Sequence, residues 1–326
     1  MLNVAIYGMG SWGSRLIDSV QGKSNKIKFV TGITRDAAKH RAAADKYGLT
    51  LTSSYADVLK DPTVDAVLIA TPHSMHCQHI CEAARAGKHV FAEKPITLTA
   101  ATAQQAVDAT KAAGVTLGLG LNRRYAPSFV EMKRRILAGE IGDLVHIEGQ
   151  HSGPTGFKLA PGYWRSTRAE SPAGGMSPRG IHVIDAMINL GGLIGEVYGH
   201  SERRKLQPPI DMDDSTSMLL KFRNGVTGYF ATLFITGELY RVHAFGTKGW
   251  LELRGDTELY VRGLTGEPQR IELQAVDKER AELDAFADAV AAKQDYMVPP
   301  DEAVNGIAVI EAIVASAESG QVIKIR

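Results

Sequence analysis

The chain has 326 residues, 44% of them hydrophobic and 22% charged. That leaves room for two domains with a core each, and excludes a disordered, collagen-like or staple-dependent chain. With 37 Lys and Arg against 36 Asp and Glu, no global field recruits nucleic acid or an anionic membrane, and neither is expected as a partner.

From residue 1 to about 120, short β-branched runs alternate with longer periodic segments, which is the signature of βαβ units. A buried strand at 4–7 leads into a helix at 14–20. Between them lies Gly8-Met9-Gly10-Ser11-Trp12-Gly13. A dinucleotide needs that arrangement: Gly8 for the tight turn, Gly10 for close approach of the pyrophosphate, and Gly13 for packing of helix on strand. The spacing therefore predicts a cofactor cradle that includes Ser11 and Trp12. The second strand, 27–33, ends in Thr34-Arg35-Asp36. A carboxylate at its end would bind an adenosine ribose and repel a 2′-phosphate. Thr34 followed by Arg35 instead favours NADP over NAD, and Asp36 can cap the next helix, which Gly48 can stop.

A continuous apolar strand at 66–70 is followed by Thr71-Pro72-His73 and His76, a helix at 75–86, a strand at 89–92, and then Glu93-Lys94-Pro95. Both polar runs fall at carboxyl ends of parallel strands, where doubly wound sheets hold ligands. Thr71, Pro72, His73, His76, Glu93 and Lys94 are therefore expected around the cofactor. A helix at 100–113 capped by Thr99 and a strand at 115–119 complete the unit. Apolar runs of this kind fit a sheet covered on both faces. Cys77 and Cys81 lie four apart on a helix, where the sulfurs are not aimed at each other. Two buried structural thiols are expected, and no metal site.

Beyond residue 122 the pattern changes to one amphipathic helix and then strands separated by hairpin signals such as Asn224-Gly225. The domains are read as 1–122, binding the dinucleotide, and 123–326, binding substrate and a second copy of the chain. A Gly- and Pro-rich stretch at 152–180 reads as an active-site loop. It carries Lys158, Arg165, Arg168 and Arg179 against Glu170 alone, which would suit an anionic substrate. Helices are expected at 278–292 and 300–319. The longest apolar runs are far short of the roughly 20 residues that span a bilayer, and no basic leader precedes Leu2, so a cytoplasmic protein is expected.

Taken together, the glycine motif, Thr71-Pro72 with His76, Glu93-Lys94-Pro95, Asn122-Arg123-Arg124 with Pro127, Gly174-Gly175, Gly180-Ile181-His182 with Asp185, and Gly246-Thr247-Lys248-Gly249 resemble the Gfo/Idh/MocA family of NAD(P)-dependent oxidoreductases. The resemblance implies an α/β protein: an N-terminal doubly wound parallel sheet and a C-terminal α+β domain with a large open-faced, mostly antiparallel sheet. It implies Lys94 in the active site with His182 beside it, Asp185 as a substrate contact, and Asn122, Tyr163 and Arg165 completing the substrate set. A homodimer or homotetramer through the C-terminal sheet is expected. One departure stands out: the Asp that the family often carries four residues before the His is Pro178 here, so proton transfer rests on Lys94 and His182, with help from Tyr163. Hydride exchange at a hydroxyl-bearing carbon of a sugar, sugar derivative or cyclic polyol is the expected activity. Two other readings stay open, a glycoside-cleaving enzyme that oxidises transiently and retains its cofactor, and a non-catalytic dinucleotide or sugar sensor.

Overall fold

The computed structural model describes residues 1–326 as two compact units. In chain order the first half contains β1 (Leu2–Tyr7), α1 (Ser11–Val20), β2 (Ile27–Ile33), α2 (Ala37–Tyr47), β3 (Thr50–Thr52), α3 (Tyr55–Lys60), β4 (Ala66–Ile69), α4 (His76–Arg85), β5 (His89–Ala92), α5 (Ala100–Ala112) and β6 (Leu117–Leu119). The strands form one parallel sheet in the order β3-β2-β1-β4-β5-β6. The chain reverses direction across the sheet beside β1, and there the carboxyl ends of β1 and β4 open a crevice for ligands.

Local chemistry explains these boundaries. The Asp36 side chain accepts from the Lys39 N–H at 3.1 Å, and Gly48, at φ +69°, closes α2 in the left-handed region. All four residues of β4 are completely buried, as a strand covered on both faces must be. The short pair β3 and α3 has no sequence counterpart in the reading above. Three residues are too few for a periodic signal, and the cap is Ser54 accepting from Asp57.

The chain passes from one unit to the other between Asn122 and Arg123, but it does so more than once. The first unit contains residues 1–97, 101–122 and also 277–300, while 98–100, 123–276 and 301–326 form the second. The helix α8 (Lys278–Ala292) therefore returns to the first unit after most of the antiparallel domain, with 301–326 still to follow. The cause is visible on β6, where a Cβ at Gly118 would lie 2.6 Å from Phe91 and 2.7 Å from Phe286. The missing side chain makes the room that Phe286 fills, edge-on to Phe91 at 5.4 Å.

In the second unit α6 (Pro127–Leu137) is followed by β7 (Leu144–Ser152), α7 (Gly180–Gly191), β8 (Ile194–Glu202), β9 (Ser215–Phe222), β10 (Thr227–Leu233), β11 (Leu239–Gly246), β12 (Gly249–Arg254), β13 (Glu258–Gly263) and β14 (Gln269–Glu272). With β15 (Ile323–Lys324), these strands form a nine-stranded sheet in the order β14-β13-β12-β11-β7-β10-β9-β8-β15. All of its pairings are antiparallel except β7 with β10. One face is packed by α7, where Gly149 lets Val183 approach its backbone. The long helix α9 (Pro300–Ser319) is pinned to β8 by Asn305, which exchanges both amide bonds with the backbone of Ile194 at 2.9 and 3.0 Å.

Replacing Phe286 by Ala should lower unfolding free energy by about 3–5 kcal/mol, the cost of an emptied aromatic site. A urea midpoint unchanged from that of the native chain would show that α8 does not hold the parallel sheet.

Candidate active site

The glycine cradle has the geometry its spacing requires. Gly8 sits at φ +110°, where a Cβ would lie 2.3 Å from the Ala70 carbonyl oxygen, and a Cβ on Gly13 would lie 2.1 Å from the Gly8 oxygen. Around Gly10 a Cβ would meet nothing within 4 Å, so its backbone is open to an approaching group. Gly10 caps α1 with no side-chain bond, leaving first-turn N–H groups for an anion. Ser11 is exposed, and Trp12, half-buried, has Arg15 over its ring at 5.3 Å. These residues fit a dinucleotide pyrophosphate. At the end of β2 the Thr34 hydroxyl is folded into a local turn, accepting from the Asp36 N–H at 3.2 Å, while Arg35 is exposed.

After β4 and β5 the expected residues fall into two sets. Thr71 Oγ1 lies 3.2 Å from His79 Nδ1. His79 stacks on Tyr7 at 4.5 Å, and burial pushes its pKa down to about 4, so the ring is neutral at pH 7. His76, read as a cofactor ligand, is instead a brace: Nδ1 faces the Pro95 carbonyl and Nε2 the Thr71 carbonyl, both at 2.9 Å. It ties the turn after β4 to the turn after β5. Pro72 begins the short turn at His73–Met75, and His73 is buried edge-on to His76 at 5.8 Å. Glu93 is buried over Gly120, and its carboxylate accepts from the Lys94 backbone N–H at 3.2 Å. Lys94 itself is half-buried. The amide of Asn122 is engaged within this unit, donating to Glu279 at 3.2 Å; Glu279 in turn pairs with Arg15 at 2.9 Å.

In the second unit His182 lies in the first turn of α7, 8% exposed, with its ring 6.2 Å from that of His151. Asp185, expected on substrate, is held by Arg124, whose guanidinium donates to its two oxygens at 2.6 to 3.1 Å and also to Glu302. Burial opposes the charge on Arg124, but the two carboxylates outweigh it and hold the proton more firmly than usual. Asp185 therefore serves first as the counter-ion of a buried guanidinium. Tyr163 is exposed, and Arg165 lies over Trp164 at 4.6 Å. The excess positive charge of the loop is largely neutralised from outside it: Arg168 pairs with Asp213 at 2.7 Å and Arg179 with Glu238 at 2.6 Å. That removes the main argument for an anionic substrate. Cys81 is buried as expected, whereas Cys77 is only half-buried; neither is in a disulfide.

Sequence reasoning missed His79, His151 and Tyr240. Tyr240 is buried edge-on to His151 at 5.0 Å with Arg123 over its ring at 3.8 Å, and burial pushes its hydroxyl up to about 12. Tyr240 directly faces His151 across the β7–β11 ladder, and no spacing within either strand announces that pairing.

Residues 2–121 match the model of an oxidoreductase family with an NAD-binding Rossmann fold, and residues 129–252 match the GFO/IDH/MocA C-terminal domain. The chain belongs to the Gfo/Idh/MocA oxidoreductase family. It is 28% identical over 320 residues to D-xylose 1-dehydrogenase (NADP(+)) 2 of Haloferax volcanii, covering 95% of each chain. To scyllo-inositol 2-dehydrogenase (NAD(+)) of Bacillus subtilis it is 32% identical over 260 residues, 75% of this chain and 71% of that one. Among solved structures, a putative NADPH-dependent oxidoreductase of Desulfitobacterium hafniense superimposes with a TM-score of 0.93 at 25% identity, over 99% of this chain and 97% of that one. This Gfo/Idh/MocA chain is an NAD(P)-dependent oxidoreductase. No helix is long and apolar enough to cross a membrane.

The depressed pKa of His79 has a consequence for stability. The unfolded imidazole takes a proton below about 6.5 while the folded ring refuses it down to about 4, so stability present above pH 6.5 is lost as pH falls through that window. Urea midpoints measured from pH 7 down to pH 4.5 should show this loss, and His79→Gln should flatten it. An equal slope in the variant would assign the effect to other groups.

Proposed function

We propose that the protein is a dehydrogenase of a sugar or cyclic polyol with a preference for NADP. Its relatives are named for xylose and scyllo-inositol, and this chain is read as acting on the same class. The observation that carries the reading is the Glu93-Lys94-Pro95 turn leaving β5, two strands from the β1 end that forms the glycine cradle. The nicotinamide, when bound, supplies the acceptor or donor of the hydride. Lys94 takes the proton from the substrate hydroxyl oxygen on oxidation and returns it on reduction. His182 is read as a substrate-positioning group. Burial of its ring and Pro178 in place of a carboxylate both argue for positioning over proton transfer. The exposed apolar side chains on one face of the large sheet, among them Leu219 and Tyr229, suit a second copy of the chain. The reading puts the protein in the cytoplasm.

Sugars, polyols and cyclic diols assayed against both cofactors by nicotinamide absorbance identify the substrate. On that substrate Lys94→Ala should lower kcat by roughly 10²–10⁴, the usual worth of a positioned acid or base, with cofactor affinity little changed. Near-normal turnover would mean that the proton is handled elsewhere.

Arg35 accounts for the cofactor preference. NADP should bind more tightly than NAD by about 1–3 kcal/mol, the worth of a charge-assisted hydrogen bond, and Arg35→Ala should abolish the difference while leaving NAD binding intact. Titration giving equal affinities in the native protein would show that Arg35 takes no part.

A further inference from the structure

Glu282 is an anomaly in the first unit. It is completely buried on α8, and neither carboxyl oxygen has a hydrogen-bond partner. A carboxylate in such a place forfeits its solvation, and a buried acid persists there by remaining neutral.

Register shows what it faces. Gly118 on β6 lies beside Phe91 on β5, and Phe286 of α8 fills the space above both. Two residues further along each strand, Gly120 lies beside Glu93, and a Cβ on Gly120 would come within 2.8 Å of the Glu93 carboxyl. Helix α8 runs back over this pair, so Glu282, one turn before Phe286, falls at the level of Glu93. One turn earlier still, Glu279 receives the bond from Asn122. An aromatic layer is thus followed by an acid layer, and the acid layer bears on the turn that carries Lys94.

We propose that Glu282 is a positioning residue for that turn: a buried carboxylic acid that keeps its proton and leaves Glu93 as the single anion bonded to the Lys94 backbone N–H. The charged groups around it are Glu93 and Lys94 from the β5 turn and Glu279 and Lys278 from its own helix, with Arg15 of α1 paired to Glu279. Burial first, then the charges of Glu93 and Glu279, push the Glu282 carboxyl well above the usual carboxylate range, against the smaller pull of Lys278 and Lys94. Were Glu282 ionised, its charge and that of Glu93 would repel each other, and the Glu93 carboxylate would be driven from the Lys94 amide.

This assignment rests on Lys94 as the proton-handling group, and its test has an arm independent of turnover. An acid that keeps its proton in the folded state and loses it on unfolding makes stability fall as pH rises above about 4.3, the unfolded value. Urea unfolding of the full chain from pH 5 to 8 should show that decline, and Glu282→Gln, uncharged at every pH, should reduce it. On the substrate from the screen, Glu282→Gln should retain kcat within about threefold and Glu282→Leu should lose about tenfold or more, both with NADP affinity unchanged. An undiminished pH slope in Glu282→Gln overturns the neutral acid. Equal kcat values for the Gln and Leu variants overturn the positioning role. Native protein that turns over no alcohol while the slope behaves as stated faults the dehydrogenase reading and leaves the neutral acid standing.

Discussion

The absence of side chains at Gly118 and Gly120 is the constraint on which the first unit is built. A parallel sheet needs cover on both faces, and over β6 Phe286 of α8 supplies part of it, from a segment more than 150 residues later in sequence. Gly118 lets the helix come close enough for Phe286 to reach Phe91, and Gly120 leaves the room that the Glu93 carboxyl fills. A Cβ at either position would collide with these groups. The dinucleotide-binding unit is therefore discontinuous, and its completion requires the chain to traverse residues 123–276 of the second unit before α8 is available.

A single buried cation organises the second unit in a comparable way. Arg124, next to α6, is joined to Asp185 in the middle of α7 and to Glu302 in the first turn of α9. Removing three charges from water is costly, and the bidentate geometry with Asp185 is what compensates for it. Asp185 is three residues after His182, so the ion pair anchors the turn of α7 that follows the imidazole. The carboxylate expected on substrate is thus engaged by a guanidinium of its own unit.

Much of this was legible from the residues, for identifiable reasons. The strands at 27–33 and 89–92 and the helices at 278–292 and 300–319 end where apolar periodicity, caps and glycines say they should. The cradle at Gly8, Gly10 and Gly13 is legible because steric necessity leaves few substitutes for glycine there. Less could be read where function depends on contacts distant in sequence. Nothing near His76 says that both its nitrogens meet backbone carbonyls, nothing in 152–180 says that Asp213 and Glu238 neutralise its arginines, and nothing after 276 says that α8 belongs with the first sheet.

Protonation in the first unit is governed more by burial than by opposing charge. His79 is kept neutral because its ring is enclosed by Tyr7, Tyr55 and Thr71, and the Glu282 carboxyl is pushed up chiefly by desolvation. Glu279 of the same helix pairs with Arg15 at 2.9 Å. A lysine that must release a proton near neutral pH needs little uncompensated negative charge around it, because each nearby carboxylate favours the ammonium form. Glu93, in the same layer, accepts from the Lys94 backbone N–H at 3.2 Å, which ties its carboxylate to the turn. On the role proposed for Lys94, a neutral Glu282 and an ion-paired Glu279 leave less negative charge to hold its ammonium form.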